Sequence, residues 1–136
     1  MSKIKFKIGT SQHVVFNLPS RAVGDSNTCI GKVLVNVSGL NCSNSLSFDR
    51  EDLIKLYKNA SKLYKSLKGQ ASISSKCKTF NLVVTGTAKG HIKIEVNMSN
   101  FQYTSPENSE WQTKLFFYDY SDSLIELVKS KNEIKS

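Results

Sequence analysis

The stretch from Asp49 to Gly69 constrains the fold more than any other, because Leu53, Leu56, Tyr57, Ala60, Leu63, Tyr64 and Leu67 recur at helical spacing. At 3.6 residues per turn these positions fall within an arc of roughly 120°. Arg50, Lys55, Lys58, Lys62, Lys65 and Lys68 take the other side. A helix sorted in this way buries one face and hydrates the other, so it forms one wall of a core. Asp49 stands where an N-cap carboxylate accepts first-turn amide hydrogens, Glu51 and Asp52 suit the positive pole, and Gly69 offers a left-handed stop.

Around this helix the hydrophobic period changes to two. Lys3 to Ile8 and His13 to Leu18 read as a hairpin closed around Gly9 to Gln12, and Ser20 to Gly31, with Gly24, Asp25, Ser26 and Asn27, reads as a loop. Lys32 to Ser38 places Val33, Val35 and Val37 on one face and Leu34 on the other. After a turn at Gly39 to Ser43, Leu46 and Phe48 share one face of a short strand that runs into the helix. Lys78 to Thr85 and His91 to Met98 form a second hairpin about Gly86 to Gly90, preceded by a short extension at Ala71 to Ser74. Ile92, Ile94, Val96 and Met98 alternate with polar residues, the mark of a sheet with one dry face. Lys114 to Tyr118 is strand-like, and Ser121 or Asp119 caps a closing helix that uses Leu124, Ile125, Leu127 and Val128. No internal repeat, low-complexity segment or linker divides the chain. Residues 1 to 136 are expected to make a single α+β domain, an antiparallel β-sheet of about six strands with two helices packed on one face.

A chain of 136 residues is long enough to bury about two thirds of its unfolded surface. Hydrophobic residues at 39% and charged residues at 22% place it with ordinary globular domains and not with disordered chains. No apolar run reaches signal-peptide or membrane-spanning length, which points to a cytoplasmic protein without a membrane partner. Cys29, Cys42 and Cys77 form no C-x-x-C pair and are odd in number, so free thiols are expected. His13 and His91 lie at no ligand spacing from a cysteine or carboxylate, and neither a metal nor a cofactor is expected.

Catalysis finds little support. A hydrolase needs a nucleophile, a base and an orienting group, and two histidines that each open a strand read as surface or edge residues. Glu51 with Asp52, and Asp119 with Asp122, lie at helix starts where the dipole already accounts for them. No phosphate-binding glycine loop is present. A formal charge of +8 invites a nucleic-acid reading, with Lys55, Lys58, Lys62 and Lys65 as the contacting face. Only Arg21 and Arg50 are arginines, however, and bidentate phosphate or base recognition favours arginine. Phe116 and Tyr118 share one strand face, with Phe117 on the other. Such aromatics are more often core than a stacking platform for bases.

The segment Asn100 to Trp111, NFQYTSPENSEW, is the best partner-binding candidate. It is long for a loop in a compact domain. Phe101, Tyr103 and Trp111 are rigid anchors of the kind that dominate interface energy, and Glu107 and Glu110 place negative charge on an otherwise basic molecule. Inward packing of Trp111 at the head of the next strand is the competing reading.

The order of elements resembles that of the immunity proteins associated with the bacterial wall-associated polymorphic toxin called WapI. The likeness covers most of the chain. It rests on the alternating strand Lys32 to Ser38, on LSFDREDLIKLYKNASKLYKSL (Leu46 to Leu67) where a strand drops into the capped helix, on the strand pair from Lys78 to Met98, and on FFYDYSDSLIELVKS (Phe116 to Ser130). The resemblance implies a small cytoplasmic, non-catalytic protein that binds and neutralises a cognate toxin domain. The chain departs from the acidic character common among inhibitors of nucleases, so a basic inhibitor of this kind suits an acidic toxin or uses the local patch of Glu107 and Glu110.

Overall fold

The computed structural model describes residues 4–21, 27–99 and 112–130. Eight strands and two helices follow in the order β1 (Ile4–Gly9), β2 (His13–Arg21), β3 (Thr28–Val37), β4 (Leu40–Asp49), α1 (Arg50–Ser66), β5 (Gln70–Ser74), β6 (Phe80–Gly86), β7 (His91–Ser99), β8 (Gln112–Tyr120) and, after a 3-10 turn at Ser121–Leu124, α2 (Ile125–Lys129). The expected single sheet of about six strands is instead two four-stranded antiparallel sheets, β1-β2-β3-β4 and β5-β6-β7-β8. Every strand pairs only with its sequence neighbour, as hairpin connections dictate, and α1 separates the two meanders. Two readings account for the difference. The Gly39 to Ser43 turn is the tip of a hairpin whose second strand begins at Leu40, and the short extension after the helix is a full strand.

Alternation in the sequence becomes alternation in burial. Ile92, Ile94, Val96 and Met98 are buried while their β7 neighbours are half-exposed, and Val33, Val35 and Val37 do the same on β3. Leu53, Leu56, Ala60 and Leu63 carry the buried stripe of α1. Burying each leucine in full contributes about 1.5–3 kcal/mol. One hydrophobic cluster holds the inner faces of both sheets together with α1 and α2. At its centre Phe16 and Phe48 of the first sheet meet Phe80 of the second, with ring centroids 5.7 and 5.9 Å apart. Pro19 has no N–H to give the ladder and falls where the β2–β3 register slips, opposite Gly31. A side chain at Gly31 would strike the Asn17 carbonyl oxygen at 2.0 Å.

The ends of the helices depart from expectation. Leu67 itself takes the left-handed position that closes α1, its N–H bonded to the Leu63 oxygen at 2.8 Å, and so leaves the apolar stripe for solvent. Asp49 has no side-chain capping bond; its carboxylate pairs with Lys76 Nζ at 3.3 Å. Asp119 likewise caps no helix, and accepts from the N–H and the hydroxyl of Thr10 at 2.9 and 3.0 Å. In the closing segment Leu124 and Leu127 are buried, whereas Ile125 faces water.

These two aspartates expose a repetition that the sequence reading misses. Each half of the chain is a four-stranded meander followed by a helix. KVLVNVS at residues 32–38 answers KIEVNMS at 93–99, and FDREDLIKLYK at 48–58 answers YDYSDSLIELVK at 118–129. The halves clasp reciprocally: the first hairpin turn of each reaches the aspartate at the strand-to-helix elbow of the other, Thr10 to Asp119 and Lys76 to Asp49. Each helix also packs on the first strand of the other half, α1 on β5 and α2 on β1. Asp119→Ala removes the two bonds from Thr10 and a third from the Tyr120 N–H to the same carboxylate, and is expected to lower stability by about 1–2 kcal/mol. Asp49→Ala removes a half-exposed ion pair and should cost under about 1 kcal/mol. Urea unfolding of the two variants checks the order.

Candidate functional site

The outward residues of β8 are Gln112, Lys114, Phe116, Tyr118 and Tyr120, and the three aromatics are 56%, 58% and 63% exposed. Only Phe117 of this strand is buried. The expectation that such aromatics pack in the core therefore fails for Phe116 and Tyr118, because the pleat permits one face of β8 to be dry and Phe117 takes it. Phe116 and Tyr118 lie edge to face at 6.4 Å, and Tyr120 tilts over the His91 ring at 4.7 Å. Lys93 on β7 reaches over Phe116, its ammonium 5.1 Å from the ring centroid, and pairs with Glu95 at 3.0 Å. The Glu95 hydrogen bond and charge hold the Lys93 ammonium above its ordinary range. The outcome is a solvent-facing row of rings pinned by a cation.

The internal repeat supplies a control for this row. With Lys32 matched to Lys93 in the common motif, the residues opposite in register are Ser45 for Tyr118, Ser43 for Phe116, Asn41 for Lys114 and Ser47 for Tyr120. Counted instead from the elbow aspartates, Tyr118 answers to Phe48, so the two halves compare face by face and not residue by residue: the outward face of β4 carries Asn41, Ser43, Ser45 and Ser47, and that of β8 carries Gln112, Lys114, Phe116, Tyr118 and Tyr120. Folding therefore does not demand rings there, and exposed rings gain nothing from water.

Beside the row, Thr10, Ser11 and Gln12 of the first hairpin turn face His91, Tyr118 and Tyr120 across an open depression of about 350 Å³. Across the sheet the outer face continues through Glu95, Val83 and Ser72 in one cross-strand rank and Lys93, Thr85 and Gln70 in the next. It ends at a groove of about 290 Å³ between β5 and α1, lined by Asp52, Lys55, Asn59, Ser72, Ser74 and Lys78. The surface offers rings, ammonium groups and amide and hydroxyl donors, a chemistry suited to holding another molecule.

Of the residues singled out in the sequence, Lys55, Lys58, Lys62 and Lys65 are all exposed on α1, and Lys55 reaches the groove. Phe101, Tyr103, Glu107, Glu110 and Trp111 lie outside the described residues. Tyr120 is an addition that sequence reasoning does not find, and His91, read there only as a surface or edge residue opening its strand, lies beneath it. The available signal is the alternation in QTKLFFYDY, which leaves a single inward aromatic.

Cys77, in the turn between β5 and β6, is exposed. Partial burial pushes its thiol up, but hydrogen bonds with Thr79, at 3.0 Å, and Ser75 outweigh this and leave it below the ordinary range. Cys29 is buried. Alkylation of the native protein is expected first at Cys77, with a rate that rises at lower pH than for a free cysteine, and at Cys29 only on unfolding. Mass spectrometry of timed iodoacetamide reactions reads both.

Among the described residues no helix is long and apolar enough to cross a membrane, and no group of three or more histidine, cysteine or acidic residues is placed to hold a metal ion. Nothing matches the chain among protein-family models, curated proteins or solved structures.

Proposed function

We propose that this chain is a non-catalytic binding module of the immunity type, which covers a cognate toxin domain with the outer face of its second sheet. The observation that carries the reading is the row of Phe116, Tyr118 and Tyr120 exposed on the outer face of β8, where the outer face of β4 carries only Ser43, Ser45 and Ser47. Rigid amphipathic rings give large contact area at low entropic cost and are the commonest interface hot spots. The resemblance to WapI-type immunity proteins adds the kind of partner and the cytoplasm of the producing cell as the place of action. The test is calorimetric titration of the purified chain with the terminal domain of the toxin encoded beside it. Saturable one-to-one binding supports the proposal, and absence of heat with both proteins folded overturns it.

The exposure of Lys55, Lys58, Lys62 and Lys65 along α1 favours a second reading, binding of nucleic acid through that helix. Such binding weakens steeply with salt, and neutralising the four lysines to glutamine flattens that dependence. No binding to DNA or RNA at about 50 mM salt removes it.

A further inference from the structure

We propose that the protein partner of the aromatic face presents an acidic patch, and that its carboxylates seat in the groove between α1 and β5. This rests on the protein-binding reading above and adds the partner's chemistry. The exposed β5–β8 face is small. Four strands at about 4.8 Å spacing, lengthening from five residues in β5 to nine in β7 and β8 at about 3.4 Å each, make a plane of roughly 14 Å by 17–30 Å. A stable protein partner covers about 800 Å² on each side, so it overruns the sheet. On the β5 side it meets the groove, where Lys55 and Lys78 stand exposed beside the Asn59 amide and the Ser72 and Ser74 hydroxyls.

Charge selects the occupant. Among the described residues neither Lys55 nor Lys78 is in an ion pair, whereas Lys93 at the sheet centre is already held by Glu95 and Lys76 by Asp49. The two groove ammonium groups are thus the unneutralised cations at this rim, on a molecule of charge +8. Asn59 and Ser72 add an amide and a hydroxyl donor to the same groove. A phosphodiester track fits less well: Asp52 lines the groove and Glu95 interrupts the face, so a continuous polyanion meets repulsion at two points, and no arginine lines the groove. Discrete carboxylates separated by donors of their own can avoid both. Lys78 also holds a left-handed backbone, φ 63°, which fixes the base of its side chain at the groove lip.

The experiment uses the full chain and a ten-residue peptide of alternating glutamate and serine as probe, followed by amide shifts in a two-dimensional NMR titration at low salt. A thymidine decanucleotide is titrated in parallel. Saturable shifts are expected at Lys55, Asn59, Ser72 and Lys78, with affinity at least tenfold lower in the Lys55→Glu, Lys78→Glu double variant. Phe116→Ala with Tyr118→Ala is expected to leave peptide binding intact. Loss of toxin binding in the ring variant, without change here, separates the two proposals. No saturable shift in the groove, shifts spread evenly along the α1 lysines, or tighter binding of the decanucleotide at the same residues would each overturn the acidic-partner assignment. Lys55→Gln with Lys78→Gln, which removes charge without reversing it, should give an intermediate loss; an unchanged affinity in that variant also counts against it.

Discussion

Replacing Phe116 and Tyr118 together by alanine is expected to weaken binding of the proposed toxin partner at least hundredfold while leaving the fold in place. The two rings are more than half exposed, so their removal opens no cavity. What the fold loses is one edge-to-face contact, the Lys93 cation over Phe116, and some preference for the strand. These losses sum to about 1–3 kcal/mol, short of the 5–15 kcal/mol typical of a domain. Hot-spot aromatics, by contrast, cost 2 kcal/mol or more each when truncated, and a hundredfold loss is about 2.7 kcal/mol. Calorimetric titration reads the affinity and urea unfolding reads the stability. The internal control is Ser43→Ala with Ser45→Ala on β4, which should change neither. If the ring variant binds as the parent does, the aromatic face is not the contact surface, whatever the partner.

The contrast between β4 and β8 also shows which parts of this molecule are legible in its sequence. α1 is legible because seventeen consecutive residues repeat one period, and four of its stripe residues are buried where the pattern places them. β3 and β7 are legible for the same reason at period two. β5 is not. QASIS offers only Ala71 and Ile73 as apolar signal, and its identity as a strand is set by pairing with β6, a tertiary fact. The division into two sheets is equally tertiary, since a sequence of hairpins does not say where one sheet stops and the next begins. The elbow aspartates show local reasoning overridden from a distance. Both have the right neighbours for capping, and both are recruited by a turn from the other half of the chain.

The repeat escapes a linear reading because the halves keep hydrophobic periodicity and elbow while exchanging the outward residues. Between KVLVNVS and KIEVNMS, Leu34 gives way to Glu95, and opposite them Ser43 gives way to Phe116. The inward positions stay apolar, Val33 for Ile94 and Val35 for Val96. A repeat of this kind separates what the fold needs from what its surface can vary: the inner faces and the reciprocal clasps serve both halves, and the outer face of the second half is free to diverge. For the same reason the aromatic row reads in the sequence as ordinary core. Only the knowledge of which side of β8 is dry distinguishes Phe117 from its neighbours.

Phe16→Ala tests the other side of that separation and is expected to have the largest effect on stability of any single substitution proposed. Phe16 is completely buried. Its ring stacks on Phe6 at 4.6 Å, tilts against Phe48 at 5.5 Å and meets Phe80 of the opposite sheet edge-on at 5.7 Å. Removing it empties the junction between the sheets, where both backbones are fixed by four-stranded ladders and cannot close on the void. A buried Phe→Ala change of this type costs about 3–5 kcal/mol, a large share of the 5–15 kcal/mol typical of a domain. Urea titration should show the midpoint falling sharply at unchanged slope, since the surface exposed on unfolding is nearly the same. Phe16→Leu keeps most of the volume and should recover more than half of the loss. A cost near 1 kcal/mol for the alanine variant would mean that the two sheets do not share a core through this ring, and with it would go the two-sheet scaffold that presents the face of β8.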